Sequence, residues 1–277
     1  MLKIAVIGAQ TLIGRELVRA LGPHASVLPL AMGPLNKSEE EGDLVIFAPE
    51  PSLLEGLDVV ILVDALQNPQ LLQHFVGRVL DLRNDADPKE AGDPWPLVGS
   101  WPVGGPLRYR GRPALEQVLA LLPALVDGVG EVSGTHLRAV AHLGDRGLEG
   151  LQEQTASVLQ GEEPDLEKLG YRQAFEAIPQ IPRGNLVEVR LPVFHGDLLL
   201  LHLRAAEDQR LAQRSALPGV RWTPQPPSSR DVAVNADLLA YLHLSADGKQ
   251  GMLTLGFDPI LWGILWPTLR LLGLLET

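Results

Sequence analysis

Residues 3–17 read Lys-Ile-Ala-Val-Ile-Gly-Ala-Gln-Thr-Leu-Ile-Gly-Arg-Glu-Leu, and this stretch decides the fold. An apolar run of strand-forming residues ends at Gly8, and a helical pattern begins at Leu12. Strand, tight turn and helix in this order form the first unit of a Rossmann-like, dinucleotide-binding type of domain. Gly8 suits the turn because it has no Cβ, and the N–H groups at a helix N-terminus attract phosphate.

The glycine pattern of this turn predicts dinucleotide binding with one departure. Gly8 and Gly14 match the fingerprint, but Thr11 stands where a glycine would let the backbone approach a pyrophosphate. The residues predicted to contact a cofactor are Gly8, Gln10, Thr11, Leu12 and Gly14. The alternative is a turn of the same shape that holds no nucleotide.

A second predicted strand, residues 27–30, is followed by Ala-Met-Gly-Pro at residues 31–34. In dinucleotide-binding domains an acidic residue at this point binds the adenosine ribose, and an arginine binds a 2′-phosphate. Neither residue type is present here. Lys37 and the glutamates at 39–41 are interpreted as a solvated loop.

The rest of the chain predicts a parallel sheet followed by a second, mixed or antiparallel sheet. Residues 57–63 are a continuous apolar run, as the centre of a parallel sheet requires. In the second half strands cluster with few helices between them, which favours a mixed sheet. Further strands are predicted at 44–48, 79–82, 137–141, 186–191, 198–203, 232–234, 241–244 and 252–255, helices at 68–77, 114–122, 147–160 and within 257–275, and a loop at 85–105.

Composition excludes several classes of function. The 277 residues carry a net charge of -11, which argues against nucleic acid as a partner because phosphate neutralisation needs clustered Lys and Arg. There is no cysteine, so disulfides, cysteine-ligated metals and a thiol nucleophile are excluded. Residues 1–20 hold the first strand and helix rather than a signal peptide, and charges and Pro267 interrupt the apolar C-terminal stretch. We therefore expect a cytoplasmic protein without a membrane span.

Short motifs along the chain resemble the aspartate-semialdehyde dehydrogenase family. They occur in the family's order and span nearly the whole chain, and the most specific is the Arg-x-Pro-Val-x-x-Gly run at residues 190–196. The other motifs are Ile7-Gly8-Ala9 with Gly14-Arg15-Glu16, Ala139-Val140 with Gly144, Gly147, Leu148 and Glu149, Ile178-Pro179-Gln180-Ile181, and Phe257-Asp258-Pro259 with Trp262-Gly263.

The resemblance implies an α/β fold with two domains. Residues 1–112 and 258–277 would form a Rossmann-like N-terminal domain of the dinucleotide-binding type. Residues 113–257 would form an α+β dimerisation and substrate domain built on a mixed or antiparallel sheet. The C-terminal helix would return to the first domain, and the protein would be a homodimer.

The resemblance also implies a reaction, the reduction of an acyl phosphate to an aldehyde with NADPH. In the family a cysteine thiolate forms a thiohemiacetal and then a thioester, a histidine acts as acid and base, and an arginine holds the substrate carboxylate. Arg190 matches that arginine. The cofactor implied is NADP or NAD, and no metal is expected.

This chain departs from the family pattern at every reactive position. The family cysteine should fall near residues 113–115, which read Pro-Ala-Leu, and the family histidine should fall at Asp197. The glutamine beside the cysteine is replaced by Arg138. The family's Ser-Gly pair is replaced by Ala141-His142, and its Ser-Arg-Ser pocket for the NADP phosphate by Met32-Gly33-Pro34.

A few candidate residues remain after these losses. Arg190 would bind a ligand carboxylate or form an interior ion pair, and the sequence favours neither. His142, His195 and Asp197 are candidate acid/base groups, and the two histidines would approach one another if the family fold holds. Asp197 as a third metal ligand is less expected than a solvated strand end. The histidines interpreted as structural are His24, His74, His136, His202 and His243.

Three hypotheses follow for function. The first is an inactive homologue with a binding or assembly role, which might pair with a catalytic relative. The second is an NAD(P)-dependent oxidoreductase that acts on an aldehyde without a thioester intermediate. The third is a sensor that binds a small molecule in a cleft between domains.

Overall fold

A computed structural model describes residues 1–34, 39–41, 44–83, 92–97, 100–102, 105, 107–180, 184–215 and 217–275. Lys37 and Ile181, which the sequence analysis singled out, lie outside these described residues. The chain divides into two compact units. Unit 1 comprises Met1–Pro113 with Ile264–Thr277, and unit 2 comprises Ala114–Gly263.

Unit 1 is built on a six-stranded parallel sheet, as the sequence predicts. The strand order is β2-β1-β5-β6-β8-β7, and each neighbouring pair runs parallel. The bounds are β1 Lys3–Ile7, β2 Ser26–Leu30, β3 Glu39–Glu41, β4 Leu44–Ile46, β5 Val59–Leu62, β6 Arg78–Asp81, β7 Asp93–Pro94 and β8 Arg108–Arg110, with helix α1 at Leu12–Leu21. Strands β3 and β4 pair separately, as an antiparallel ribbon.

Burial explains why these segments form a parallel sheet. All four residues of β5 are buried, because the faces of a parallel sheet are covered by other elements. Helix α1 is amphipathic and buries Leu17, Val18 and Leu21. This fixes the helix N-terminus at the carboxyl end of β1, which is where the predicted cofactor turn lies.

Two predictions for unit 1 are wrong, the helix at residues 68–77 and the loop at residues 85–105. The first segment is a single 3₁₀ turn, Pro69–Leu72, held by i→i+3 bonds such as Gln73 N–H to the Gln70 carbonyl. One turn is enough to bury Leu71, and the chain must then enter β6. The described part of the second segment contains the short edge strand β7, which pairs with β8.

Unit 2 is built on a seven-stranded mixed sheet, again as predicted. The order is β11-β12-β10-β13-β17-β16-β15, with β10 parallel to β12 and antiparallel to β13. The strand bounds are β9 Val126–Asp127, β10 Val129–Arg138, β11 Ile178–Pro179, β12 Leu186–Arg190, β13 Asp197–Ala205, β14 Ala212–Gln213, β15 Val220–Trp222, β16 Leu238–Leu244 and β17 Gln250–Phe257. The helices are α2 Ala114–Leu119, α3 Leu122–Leu125, α4 Asp145–Leu159 and α5 Ser229–Ala233.

The strand predicted at residues 137–141 is misplaced. The strand is the ten-residue β10, which ends at Arg138, and Val140–Leu143 is a 3₁₀ turn. Gly130 and Gly134 interrupt the apolar pattern of β10, so its first part does not read as a strand. The turn after it is fixed by bonds from the Val140 and Ala141 N–H groups to the chain just before β13.

Three further details differ from the prediction in unit 2. Residues 232–234 end a helix rather than form a strand, because Ser228 and Asp231 make a capping box that starts α5. The helix expected through Leu122 breaks into α2 and α3, since Pro123 cannot continue the hydrogen-bond ladder of α2. Helix α4 buries Gln154, whereas Leu159, expected on its inner face, is exposed.

The C-terminal segment leaves unit 2 after β17. Leu261–Leu265 forms a π-helical turn and Trp266–Leu271 forms helix α6. The residues from Ile264 onward belong to unit 1, as the predicted returning helix requires. Within the part of the chain that the structure describes, no helix has the length and apolar character needed to cross a membrane.

Candidate functional site

The turn between β1 and α1 has the backbone of a dinucleotide-binding turn. Gly8 has φ +93°, a conformation that favours glycine. A Cβ on Gly14 would lie 2.1 Å from the Gly8 carbonyl oxygen, so only glycine lets the helix start this close to the strand. The two glycines found in the sequence are therefore required by the turn itself.

The Thr11 side chain forms hydrogen bonds with the backbone on both sides of this turn. Its hydroxyl donates to the Gly8 carbonyl at 2.8 Å and accepts from the Gly14 N–H at 3.1 Å, which makes Thr11 the N-cap of α1. The N–H groups of Gly8 and Ala9 both donate to the Leu30 carbonyl. The donors that would meet a phosphate at a helix N-terminus are thus largely used by the protein.

The space beside the loop after β2 is occupied by another part of the chain. The Gln67 backbone N–H donates to the Met32 carbonyl, and a Cβ on Gly33 would lie 2.0 Å from Gln67 Oε1. The Gln67 side chain therefore crosses Gly33 at the place where this fold binds an adenosine ribose. In the turn itself, Gln10 Oε1 is buried and has no hydrogen-bond partner among the described residues, and an amide oxygen repels phosphate. In the conformation described, these residues fit a dinucleotide poorly.

A second group of polar side chains meets on one face of the unit 2 sheet. The register pairs His136 of β10 with Glu188 of β12, and Arg138 with Arg190. Residues two apart on a strand share a face, so all four side chains lie together, and Asp197 at the start of β13 joins them. This group contains Asp197 and Arg190, which the sequence motifs match to the family's acid/base and carboxylate-binding positions.

Asp197 is fully enclosed by protein donors. It is 1% exposed, its Oδ1 accepts from the Ala139 N–H at 2.9 Å, and its Oδ2 lies 2.8 Å from His136 Nε2. His136 is 2% exposed and stacks against Phe257. The sequence analysis interpreted His136 as structural and missed this pairing. The predicted strand began at residue 137, so the sequence pattern placed His136 outside it.

Glu188 and Arg138 form an ion pair at the edge of the group. Arg138 Nη1 lies 3.1 Å from Glu188 Oε1, and Glu188 Oε2 lies 3.9 Å from His136 Nδ1. Partial burial alone would raise the pKa of Glu188, but the charge and hydrogen bond of Arg138 outweigh it and lower that pKa. Glu188 is therefore an ionised carboxylate at neutral pH. Its negative charge largely compensates the positive charge of Arg138.

His142 is held neutral at its position after β10. Burial and the nearby charge of Arg138 lower its pKa to about 3, and Arg190 adds to this effect. Its Nδ1 lies 2.6 Å from the Ala139 carbonyl oxygen, so Nδ1 carries the proton that bonds there. Nε2 is then the acceptor nitrogen of the ring.

Arg190 has no acidic partner among the residues that the structure describes. No hydrogen bond or ion pair of its side chain is found among the described residues, and its buried Nε has no partner there either. The guanidinium lies over the ring of Tyr171, 4.5 Å from the ring centroid. Of the two interpretations of Arg190 from sequence, the interior ion pair has no counterpart in the described structure.

The other candidate residues lie apart from this group or are inert. His195 Nδ1 is 3.9 Å from Asp258 Oδ2, and both side chains are partly exposed. Leu115, in the segment where the family cysteine is expected, packs against the hydrophobic core of unit 2. Among the described residues no cluster of metal-ligating side chains is found.

Comparison with known proteins agrees with this fold. The chain resembles a probable aspartate-semialdehyde dehydrogenase from Pseudomonas aeruginosa, with a TM-score of 0.73, 20% identity, and coverage of 98% of this chain and 97% of that one. It also resembles aspartate semialdehyde dehydrogenase II from Vibrio cholerae solved with ASA bound, with a TM-score of 0.72, 15% identity, and coverage of 99% and 98%. The enzyme from Francisella tularensis gives a TM-score of 0.70, 13% identity and 99% coverage of both chains.

At these identities the similarity shows the fold, and it does so over nearly the full length of each chain compared. No family model matches this chain, and no curated protein matches it. The resemblance to aspartate-semialdehyde dehydrogenases is thus confirmed for the architecture, including the parallel sheet of unit 1 and the mixed sheet of unit 2.

Proposed function

We propose that this chain is a divergent relative of the aspartate-semialdehyde dehydrogenases that has lost their reaction and kept a site for a small carboxylate. Its role would be binding or assembly in the cytoplasm. Sensing of a small molecule would use the same carboxylate site. The proposal rests on what the residues at the family's reactive positions do in this structure.

The observation that carries the proposal is the burial of Asp197. A general acid or base must come within hydrogen-bond reach of the substrate. Asp197 is 1% exposed, and both of its oxygens are engaged by His136 and the Ala139 N–H. The residue at the family's acid/base position therefore stabilises the fold, and its partner His136 is too deeply buried to replace it.

The absence of a nucleophile supports the same conclusion. The chain has no cysteine, and a serine hydroxyl needs an adjacent base to attack a carbonyl. Leu115 fills its position with an apolar side chain that packs on the core. A thioester route is therefore closed to this protein by composition.

Carboxylate binding is the part of the family site that this chain retains. A partly buried guanidinium without an acid is costly, and no acidic partner of Arg190 is found in the described part of the chain. A ligand carboxylate would supply the missing charge. We therefore assign Arg190 to the ligand carboxylate.

Calorimetry with L-aspartate as the probe tests this assignment. We expect the wild-type protein to bind, and Arg190→Gln to weaken binding at least about 10-fold, because charge-assisted bonds to a carboxylate contribute roughly 1.5–3 kcal/mol. Arg204→Gln is the matched control, since Arg204 is an exposed arginine on the same sheet. Equal binding by wild type and Arg190→Gln would refute the assignment.

An oxidoreductase without a covalent intermediate is the second candidate, favoured by the parallel sheet and glycine turn of unit 1. It requires NAD or NADP at residues 8–14. A ligand at about 100 times its Kd adds roughly 2.7 kcal/mol of stability, which a thermal shift assay detects. We expect no shift with either nucleotide at millimolar concentration, because Thr11 and Gln67 fill the site. A clear shift would favour the oxidoreductase.

We also propose that the protein is a homodimer formed through the outer face of the unit 2 sheet. Leu200, Thr254 and Tyr241 stand side by side in one row across three strands, and two of the three are partly exposed apolar side chains. Such a face needs a cover. Light scattering should give the mass of a dimer, and Leu200→Glu should give a monomer. A catalytic homologue is a second partner that this face would accept.

A further inference from the structure

We infer that Tyr171 is the positioning residue for Arg190, and that Gln154 holds Tyr171 in place. This inference rests on the proposed carboxylate site. It assigns a role to two residues that no motif in the sequence marks. The argument starts from the unusual surroundings of the guanidinium.

Arg190 is stabilised by an aromatic face rather than by an acid. Its guanidinium carbon lies 4.5 Å from the centroid of the Tyr171 ring, within the range of a cation–π contact. Such a contact compensates part of the charge and uses none of the N–H groups. The guanidinium is thus held in one plane while its terminal nitrogens stay available for a planar, bidentate carboxylate.

Gln154 fixes the segment that carries Tyr171. Its amide is 1% exposed and makes four hydrogen bonds to the backbone of one loop. Nε2 donates to the carbonyls of Asp165 and Tyr171 at 3.1 and 2.9 Å. Oε1 accepts from the N–H groups of Gln173 and Ala174 at 2.8 and 3.3 Å. A saturated buried amide of this kind locks the loop, because any shift would leave several polar groups unpaired.

The backbone directly after the residues bonded by Gln154 has a strained conformation. Such strain is expected where a loop is held in place. Phe175 has φ +61°, which is uncommon for a bulky side chain, and its ring is 62% exposed. The exposed ring gains little burial in return. The bonds of Gln154 hold the N–H groups of Gln173 and Ala174, the two residues directly before Phe175.

Two variants at Tyr171 test the inference with L-aspartate as the probe. Tyr171→Phe keeps the aromatic face and should bind within about 2-fold of wild type. Tyr171→Leu removes it and should weaken binding by about 5-fold or more. Gln154→Leu should weaken binding similarly, whereas Gln152→Leu, on the exposed side of the same helix, should not. Equal affinity of wild type and Tyr171→Leu would overturn the inference.

The Arg190 Nε–H signal in a nitrogen–proton NMR spectrum gives a reading that needs no ligand. We expect this signal, identified by its loss in Arg190→Lys, to lie upfield because of the ring current of Tyr171. It should stay there in Tyr171→Phe and move downfield in Tyr171→Leu. If wild type binds no L-aspartate, the proposed function fails, and this signal alone decides whether Tyr171 positions the guanidinium. An unchanged signal in Tyr171→Leu would show that it does not.

Discussion

At the scale of single residues, the pair of His136 and Asp197 is the most deeply buried part of the polar group in unit 2. The two side chains are 2% and 1% exposed, and they join β10 to the start of β13. Burying a carboxylate is costly unless hydrogen bonds compensate it, and here each Asp197 oxygen has a hydrogen-bond partner. The pair therefore belongs to the stability of unit 2 rather than to its chemistry.

Asp197→Asn tests this interpretation. Asparagine keeps only one acceptor oxygen, so one of the two buried partners of Asp197 loses its hydrogen bond, and we expect the free energy of unfolding to fall by about 1–3 kcal/mol. Denaturant unfolding measures it. Glu131→Gln is the matched control, because Glu131 pairs with Arg204 across the same two strands but on the exposed surface, 3.5 Å apart. The control should change stability by less than about 0.5 kcal/mol. Equal effects of the two variants would contradict a structural role for Asp197.

The lowered pKa of His142 predicts how the stability of the protein depends on pH. Its pKa is lowered to about 3 by burial and by Arg138, so the folded protein keeps the ring neutral where the unfolded chain, with a pKa of 6.5, binds a proton. Stability should therefore be fully present above pH 6.5 and fall as the pH drops toward 3, with a slope of up to about 1.4 kcal/mol per pH unit from this group.

Proton–carbon NMR of the histidine rings measures the titration directly. The His142 signals, assigned with His142→Gln, should not move between pH 7 and about pH 5, where an ordinary histidine titrates. Between pH 7 and about pH 5, the free energy of unfolding should fall less steeply in His142→Gln than in the wild-type protein. A His142 midpoint near 6.5 would contradict the burial described here.

At the scale of secondary-structure elements, the turn before α1 shows how a cofactor motif can be kept for its shape. Gly14 is needed because a Cβ would meet the Gly8 carbonyl at 2.1 Å. We expect Gly14→Ala to cost at least about 2 kcal/mol, measured as the free energy of unfolding. Gly22→Ala, at the helical end of α1 with φ -52°, should change it by less than about 1 kcal/mol. A tolerated Gly14→Ala would mean that the turn relaxes more easily than its contacts indicate.

Prediction from sequence succeeded where burial imposes a regular pattern on one element. Strand β5 is apolar throughout because both of its faces are covered, and this pattern is visible without a structure. It failed where a side chain overrides the pattern. Ser228 and Asp231 start a helix in a segment whose valines favour a strand, and two glycines hide the first half of β10.

At the scale of the whole molecule, the architecture is shared with solved dehydrogenases at low sequence identity. The similarity to the solved dehydrogenases covers nearly the full chain at 20% identity or less. Architecture depends on the pattern of buried apolar residues, which many sequences satisfy. A reaction depends instead on a few polar atoms within bonding distance, and of the candidates named from sequence Asp197 is buried.

The candidate site was only partly predictable for the same reason. Arg190, His142 and Asp197 were identified through motifs, but the motifs do not say whether a side chain is exposed. His136, Glu188, Tyr171 and Gln154 join the site through strand pairing and loop contacts between residues distant in the chain. Those contacts become visible only once the register of the unit 2 sheet is known.

The most direct measurement is the formation of NADPH when the purified protein is incubated with aspartate semialdehyde, inorganic phosphate and NADP. The account predicts no formation above that of a buffer control, because the chain lacks a nucleophile and its acid/base position is buried. Turnover that is proportional to protein concentration, and that Arg190→Gln prepared in the same way abolishes, would contradict it.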